Sequence, residues 1–174
     1  MTIPIDAVLT GKARAFRGDE ASAIDKLPFT GARAVGRLGI AGDEQADLRV
    51  HGGPDKAIHH YPRDHYGWWA ETLGGHILLT APGAFGENIS TRGLIEGAVC
   101  IGDRYRLGSA LVEISQGRQP CWKLGHRFNL GFIGVMLFGV ALLSWQAVAA
   151  DRNDAEFQVA KVGAARDAAR AVEL

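Results

Sequence analysis

The first three quarters of the chain consist of short apolar runs in which hydrophobic and polar positions alternate. Alternation with a period of two places every second side chain on one face, as for Ala110, Val112 and Ile114, and it predicts a β-strand. Runs of this kind, bounded by Gly, Pro, Asp or Asn, predict strands at residues 5–9, 32–35, 77–79, 99–107 and 110–115. This part of the chain is therefore expected to be rich in β-structure.

One segment has the spacing of a helix instead. Tyr66, Trp69, Ala70 and Leu73 recur at intervals of three and four residues, and they follow Pro62, which is tolerated at the start of a helix. We expect a helix over residues 63–73. The combined pattern predicts a small, mostly antiparallel β-barrel with a packed helix, and barrels of this kind leave space for a ligand where their loops gather.

The character of the sequence changes after Asn129. Residues 130–150 contain no charged side chain, and residues 151–174 are rich in alanine, with Asn153 and Glu156 spaced as a helix-capping pair. The apolar stretch fits a buried helix, broken up by glycines, and it also has the length of a membrane-spanning helix. We therefore divide the chain into a body, residues 1–128, and a divergent tail, residues 129–174, whose end is expected to be helical.

Composition narrows the class of protein. The 174 residues suit one domain with a single core, and 19 basic side chains balance 19 acidic ones, which argues against a nucleic-acid polymer as partner. The first residues do not resemble a signal peptide because Pro4 and Asp6 interrupt their apolar positions. We expect a cytoplasmic protein whose two cysteines are free thiols.

The densest group of reactive side chains lies at residues 49–61, where three of the six histidines occur. Adjacent glycines can offer backbone N–H groups to an anion, and the flanking Arg49 and Lys56 carry the charge that a phosphate requires. The segment therefore predicts an anion-binding loop that includes His51, Gly52 and Gly53. An ordinary Gly-Gly-Pro turn between strands explains the same residues.

A second group lies at residues 83–94. A turn at Gly86 would present Glu87 and Asn88 together, and an acceptor next to an amide suits the edge of a nitrogen heterocycle. The alternative is that both side chains hydrogen-bond their own loop.

The third group surrounds a cysteine. Cys121 lies between Arg118 and Lys123, and nearby positive charge favours the thiolate form of a cysteine. Three roles remain open: a ligand for a soft metal, a nucleophile paired with His51, His59 or His60, and a redox sensor. Cys100, between two apolar residues of a predicted strand, is expected to be a small core residue.

These groups, in this order, resemble the MOSC domain family, specifically its bacterial single-domain YiiM-like branch. The resemblance rests on residues 38–47, on RVHGGPDKAIHHYPRDHY, on GAFGENISTRGL and on GDRYRLGSALVEISQGRQPCWKL, and it covers about residues 5–128. It implies a β-barrel that binds the molybdenum cofactor, with Cys121 bound to the metal and the HGG and GEN segments lining the pterin site.

The resemblance also implies a function: reduction of N-hydroxylated substrates such as 6-hydroxylaminopurine, with electrons from a separate redox protein. Arg49, Lys56, Arg118 and Lys123 are the candidate contacts to the cofactor's phosphate, and His51 or His60 could move protons. The candidate catalytic residues are thus Cys121, His51 and His60. The candidate cofactor-binding residues are Arg49, His51, Gly52, Gly53, Lys56, Tyr61, Glu87, Asn88, Arg118 and Lys123.

Two other functions remain open at this point: a Cys-His acyl or phosphoryl transferase that needs no metal, and a cofactor carrier or sulfur-handling module without turnover. A homodimer also remains open. The family's ending, a polar helix followed by a glycine-aromatic strand, has no counterpart after Phe128. A shift of reading frame near Asn129 is one hypothesis for that change; an altered closure of the barrel is another.

Overall fold

The alternating runs form strands in most of the predicted places. The computed structural model describes residues 2–130 and the backbone of residues 157–162 and 170–173. The strands are β1 (Thr2–Thr10), β2 (Arg14–Arg17), β3 (Glu20–Ser22), β4 (Leu27–Pro28), β5 (Gly31–Gly36), β6 (Gly39–Ile40), β7 (His60–Pro62), β8 (Ile89–Thr91), β9 (Arg104–Leu107), β10 (Ala110–Glu113), β11 (Phe157–Val162) and β12 (Arg170–Glu173). The helices are α1 (Asp64–Thr72) and α2 (Trp122–Arg127), with short 3₁₀ helices at Pro54–Lys56, Ile77–Thr80 and Glu96–Ala98.

The main sheet has the strand order β10-β9-β12-β1-β8-β7, and β4 pairs with β1 beside it. Its pairs are antiparallel except β7–β8, which is parallel. The two ends of this order do not pair with each other among the described strands. The predicted barrel is therefore not confirmed, whereas a mostly antiparallel, strand-rich fold is.

Two apolar clusters fill the space around this sheet. One is built from strand residues such as Ile5, Val8 and Leu107, and the other gathers the aromatic side chains of α1 and its neighbours, including Trp69 and Phe85. Helix α1 supplies Tyr66 and Trp69 to the second cluster, as the predicted spacing requires. The loop before β8 contributes side chains to the aromatic cluster and continues into a strand of the other cluster. These contacts hold the loop against the sheet.

Three local predictions were wrong. Residues 77–79 form a 3₁₀ helix and not a strand, because the His76 side chain accepts a hydrogen bond from the Leu78 N–H and turns the chain. Residues 99–103 precede β9 as a turn that includes Gly102 at φ 93°. Cys100 is consequently exposed and not in the core, and both cysteines are free thiols, as expected.

The tail also departs from expectation where the structure describes it. Residues 157–162 and 170–173 form strands β11 and β12 and not helices. Strand β11 pairs with β5, and β12 lies between β1 and β9, so both take part in backbone ladders. An alanine-rich composition is a weak preference that such pairing overrides. The apolar segment 131–150 lies outside the described residues, and no described helix is long and apolar enough to cross a membrane.

Candidate active site

A cavity opens beside the main sheet, where three loops meet. Its wall is formed by residues that follow β3, by the segment after β6, by the loop before β8 and by the start of α2. Six of the candidate residues share this cavity: His51, Lys56, Asn88, Arg118, Cys121 and Lys123. Residues from three distant parts of the sequence thus line one cavity.

Arg118 lies three positions before Cys121 and lines the same cavity. One of its guanidinium nitrogens, Nη2, lies 3.3 Å from Nδ1 of His51. Burial lowers the pKa of Arg118, and the neighbouring Cys121 acts in the opposite direction, although a guanidinium stays charged in proteins. Among the described residues, no carboxylate forms an ion pair with Arg118. The cavity therefore contains a partly desolvated positive charge that an anionic ligand would balance.

The lysines around Arg118 are held by the chain itself. Lys26 forms an ion pair with Asp43 at 2.5 Å, and burial lowers its pKa. Lys123 pairs with Glu20 at 2.9 Å and also donates to a backbone carbonyl, while Lys56 donates to a carbonyl at 2.7 Å. These contacts fix the ammonium groups in place, so that the cavity offers a preformed set of donors.

His51 is neutral near pH 7. Burial, followed by the positive charges of Arg118 and Lys123, lowers its pKa. Because a guanidinium only donates, Nδ1 of His51 accepts from Arg118, and the proton of the neutral ring lies on Nε2. The structure thus selects one tautomer, with an N–H group available at Nε2.

The two following histidines lie on opposite sides of the chain. His59 lines the cavity, whereas His60 bonds to the Thr91 hydroxyl across 2.8 Å, and burial lowers the pKa of His60 to about 3. Neighbouring residues in an extended strand point to opposite faces, which explains the division. The position of His60 gives no support to its predicted catalytic role. His59 lines the cavity and is therefore a further candidate, which the sequence analysis did not include among the site residues.

Glu87 and Asn88 are both buried and use their side chains within the protein. Glu87 accepts hydrogen bonds from the hydroxyl of Tyr66 and from the N–H groups of Gly83 and Phe85. Burial raises its pKa. These contacts hold the loop that places Phe85 and Gly86 in the cavity wall. They support the alternative in which Glu87 bonds its own loop.

Asn88 joins two strands. Its side-chain oxygen accepts from the His59 N–H at 3.0 Å, and its amide donates to the Leu9 carbonyl at 3.1 Å. Its backbone adds a donor bond of 2.6 Å to His59 and an acceptor bond of 2.7 Å from Leu9. Although Asn88 lines the cavity, the two polar ends of its amide are committed to backbone groups.

Four further candidates do not line the cavity. A Cβ atom on Gly52 would lie 2.5 Å from the Gln45 side chain, and Gly53 has φ 95°, so both glycines serve the turn itself. Arg49 is exposed and pairs with an aspartate. Tyr61 is buried, accepts from the Trp69 indole at 2.7 Å and stacks on Phe85. Their assignment to the cofactor stays a prediction without support from this geometry.

Sequence reasoning missed Lys26 and Asp43, and it left His59 out of the assigned site. Lys26 and Asp43 are separated by 17 positions and meet only through the fold. No local pattern marks them as partners. His59 could have been found, because it belongs to the same dense motif as His51 and Lys56, which also line the cavity.

Cys121 thus shares its cavity with a guanidinium that no described carboxylate balances and with lysines that the chain holds in place. Residues 47–140 match the MOSC domain. The chain belongs to the MOSC domain family. Within that family it is a YiiM-like member.

The similarity to YiiM extends through sequence and structure. The chain is 43% identical to Protein YiiM of Escherichia coli (strain K12) over 145 residues, which cover 83% of this chain and 64% of that protein. It is 41% identical over 119 residues to a protein of Gibberella moniliformis named "Reductase", covering 68% of this chain and 21% of that one. The chain thus spans less than two thirds of these relatives.

Two crystal structures share the fold. That of YiiM from Escherichia coli has a TM-score of 0.69 at 32% identity, covering 100% of this chain and 69% of that one. That of YiiM from Geobacillus stearothermophilus has a TM-score of 0.68 at 31% identity, covering 98% and 74%.

Proposed function

We propose that this protein binds the molybdenum cofactor through Cys121 and reduces N-hydroxylated compounds such as 6-hydroxylaminopurine. The observation that carries the proposal is the shared cavity of Cys121 and Arg118, in which a thiol lies beside a guanidinium that no described carboxylate balances. Membership of the MOSC domain family and a relative named "Reductase" support it.

The residues of the cavity fit such a cofactor. The sulfur of a cysteine is a ligand that soft metals prefer, and Cys121 lines the cavity beside Arg118. The phosphate of the cofactor requires hydrogen-bond donors with positive charge, which Arg118, Lys123 and Lys56 provide at the same cavity. We therefore assign Cys121 to the metal and these three residues to the phosphate.

The reaction consumes two electrons and two protons for each substrate: R–NHOH + 2 e⁻ + 2 H⁺ gives R–NH₂ + H₂O. The bound cofactor supplies the two-electron chemistry, and a separate redox protein supplies the electrons. The N–O bond breaks, and its oxygen leaves as water once it has been protonated. Protons must therefore enter a cavity that partly excludes solvent.

His51 is suited to assist that step. Its Nε2 carries the proton of the neutral ring, while Arg118 holds Nδ1 and fixes the orientation of the imidazole. Nε2 can donate a hydrogen bond to the leaving oxygen, while the two protons come from solvent, which reaches the site because His51 is only partly buried. The chain thus holds a hydrogen-bond donor in a fixed orientation for the leaving oxygen.

The decisive experiment compares two cysteine variants expressed in a host that makes the cofactor. We expect Cys121→Ser to lose bound molybdenum and reductase activity while circular dichroism and the melting temperature show an intact fold. Cys100→Ser is the matched control, because Cys100 is exposed in a turn and does not line the cavity. Equal molybdenum content in wild type and Cys121→Ser would refute the assignment.

The same preparations test the other functions. Cofactor without turnover of 6-hydroxylaminopurine and a reductant would indicate a carrier. Absence of molybdenum and pterin from wild type, together with transfer of an acyl or phosphoryl group that depends on Cys121 and His51, would indicate a transferase. Both residues line one cavity, so this second function has a structural basis.

A further inference from the structure

Two buried side chains in the cavity wall carry hydrogen-bonding atoms that the described residues do not use. Oδ2 of Asp43 has no partner, although its Oδ1 accepts from the Gly11 N–H at 2.8 Å and from Lys26 at 2.5 Å. Neither ring nitrogen of His59 makes a hydrogen bond of ordinary geometry within the described part of the chain. The Asp43 side chain is 3% exposed, and His59 is 5% exposed. Folded proteins satisfy nearly all such groups, so each of these atoms requires an explanation.

Both side chains line the cavity, and both interact with Lys26. Its ammonium group forms the ion pair with Asp43, and its positive charge is one of those that lower the pKa of His59. Burial is the largest cause of that lowering, Arg118 contributes more than Lys26, His60 adds to it, and an interaction with the Gly86 backbone opposes it. His59 is therefore neutral, with one nitrogen that donates and one that accepts.

The unused atoms are Oδ2 of Asp43 and the two ring nitrogens of His59, one of which donates while the other accepts. A carboxylate oxygen accepts, so the partner of Oδ2 must carry an N–H or O–H group. Phe85 and the side chain of Ile24 line the same cavity and offer an apolar wall to a flat ring. A planar molecule with amino and ring nitrogens along one edge matches this combination.

The sequence suggested Glu87 and Asn88 for binding the edge of a heterocycle, but the protein already uses the hydrogen-bonding groups of both side chains. Glu87 is bonded to a hydroxyl and two backbone N–H groups, and the amide of Asn88 is bonded to His59 and Leu9. The free carboxylate oxygen of the cavity wall therefore belongs to a different residue.

We propose that Asp43 and His59 form the recognition edge for an amino-substituted nitrogen heterocycle, with Oδ2 of Asp43 accepting from its amino group and His59 bonding a neighbouring ring atom. The inference rests on the proposed function, because both the pterin of the cofactor and a purine-like substrate carry such an edge. Lys26 and Gly11 fix Oδ1, and the orientation of the carboxylate is thereby set before the ligand arrives.

The test measures the binding of two fluorescent probes, pterin and 2-aminopurine, to the full chain purified from a host that lacks the cofactor. Asp43→Asn retains an oxygen for Gly11 and Lys26 but replaces Oδ2 with a group that cannot accept. We expect it to weaken pterin binding about tenfold or more, as for a hydrogen bond to a charged group. His59→Phe, which removes both nitrogens, is expected to weaken it about threefold or more.

Glu44→Gln is the matched control. Glu44 is the neighbouring carboxylate at the cavity edge, and its two oxygens are bonded to Lys12 and to the Ala13 N–H. Its replacement is expected to change binding by less than about twofold, since no free acceptor is lost. A change in Glu44→Gln as large as that in Asp43→Asn would overturn the proposal.

A comparison of ligands in the wild-type protein needs no variant and covers the case in which Asp43→Asn fails to fold. Purine lacks the amino group of 2-aminopurine, and we expect it to bind about tenfold more weakly. Equal binding of the two purines, or unchanged pterin binding in a folded Asp43→Asn protein, would overturn the recognition edge.

The molybdenum and pterin content of wild-type protein from a host that makes the cofactor distinguishes failure of the recognition edge from failure of the proposed cofactor binding. Bound cofactor together with unchanged probe binding in Asp43→Asn contradicts this inference alone. Absent cofactor, with 2-aminopurine still bound through Asp43, supports the recognition edge for a purine and contradicts the proposed cofactor. Failure of wild type to bind either probe overturns the recognition edge whatever the cofactor content.

Discussion

Replacing His60 with Gln will make the stability of this protein less sensitive to acid. His60 is 2% exposed, and burial lowers its pKa from 6.5 to about 3 in the folded protein. Its Nε2 lies 2.8 Å from the Thr91 hydroxyl, and the amide nitrogen of Gln can occupy a similar position. The substitution therefore removes the titrating group while it retains a polar partner for Thr91.

The magnitude follows from proton linkage. Well above pH 6.5 the ring is neutral in both states and contributes nothing to the pH dependence. Below pH 6.5 the unfolded chain takes up a proton that the folded protein does not bind until the pH approaches about 3, so stability falls as the pH falls. The free energy of unfolding decreases by about 1.4 kcal/mol per pH unit below pH 6, or about 2 kcal/mol between pH 7 and pH 5.

Urea unfolding between pH 7 and pH 5, followed by tryptophan fluorescence, measures this difference. Glu87, whose pKa burial raises, contributes with the opposite sign, but it is present in both proteins and largely cancels when their slopes are compared. His126→Gln is the control, because His126 is exposed and stays in contact with water. Identical slopes for wild type and His60→Gln would show that His60 is not a buried neutral histidine.

Three further substitutions test the packing around the site by thermal or urea unfolding. Tyr66→Phe removes a donor from the buried carboxylate of Glu87 and should cost about 1–3 kcal/mol of stability, and a loss no larger than that of an exposed Thr80→Ala control would contradict the hydrogen bond. Lys26→Met leaves Asp43 as an unpaired buried charge and should lower stability by about 3–5 kcal/mol near neutral pH. Adding Asp43→Asn should recover much of this loss, and no recovery would argue against the ion pair. Gly52→Ala forces a Cβ against neighbouring side chains and should cost about 1–3 kcal/mol, more than Gly97→Ala, which meets open space; equal costs would refute the close approach.

The sequence predicts strands well where one face is buried and the other is exposed. In β1, Ile3 and Ile5 are buried and Asp6 is exposed, so the period of two is visible along the chain. The same rule failed at residues 77–79, because a capping bond from a histidine side chain, and not hydrophobic burial, decides the local conformation. In the tail, the alanine-rich composition predicted helices, whereas ladder partners distant in sequence determine the structure.

The site residues that could be predicted are those whose immediate sequence neighbours mark them as reactive. Cys121 lies between two basic residues, and Arg118 and His51 belong to dense motifs. Asp43 gave no such signal, since its importance comes from Gly11, 32 positions away, and from Lys26. Glu87 had the right chemistry for a ligand, but hydrogen bonds within its own fold had already used its oxygens.

Asn88 lines the cavity, but it is difficult to replace because its hydrogen bonds stabilise the fold. Four hydrogen bonds link it to the end of β1 and to His59 before β7, so one amide sets the alignment of two chain segments. In a saturation library, most replacements at Asn88 would lower the yield of folded protein before any change in ligand preference could be selected. At Asp43, a replacement must keep an oxygen for the Gly11 N–H and for Lys26, so Asn is the variant in which ligand preference can change while these contacts are retained.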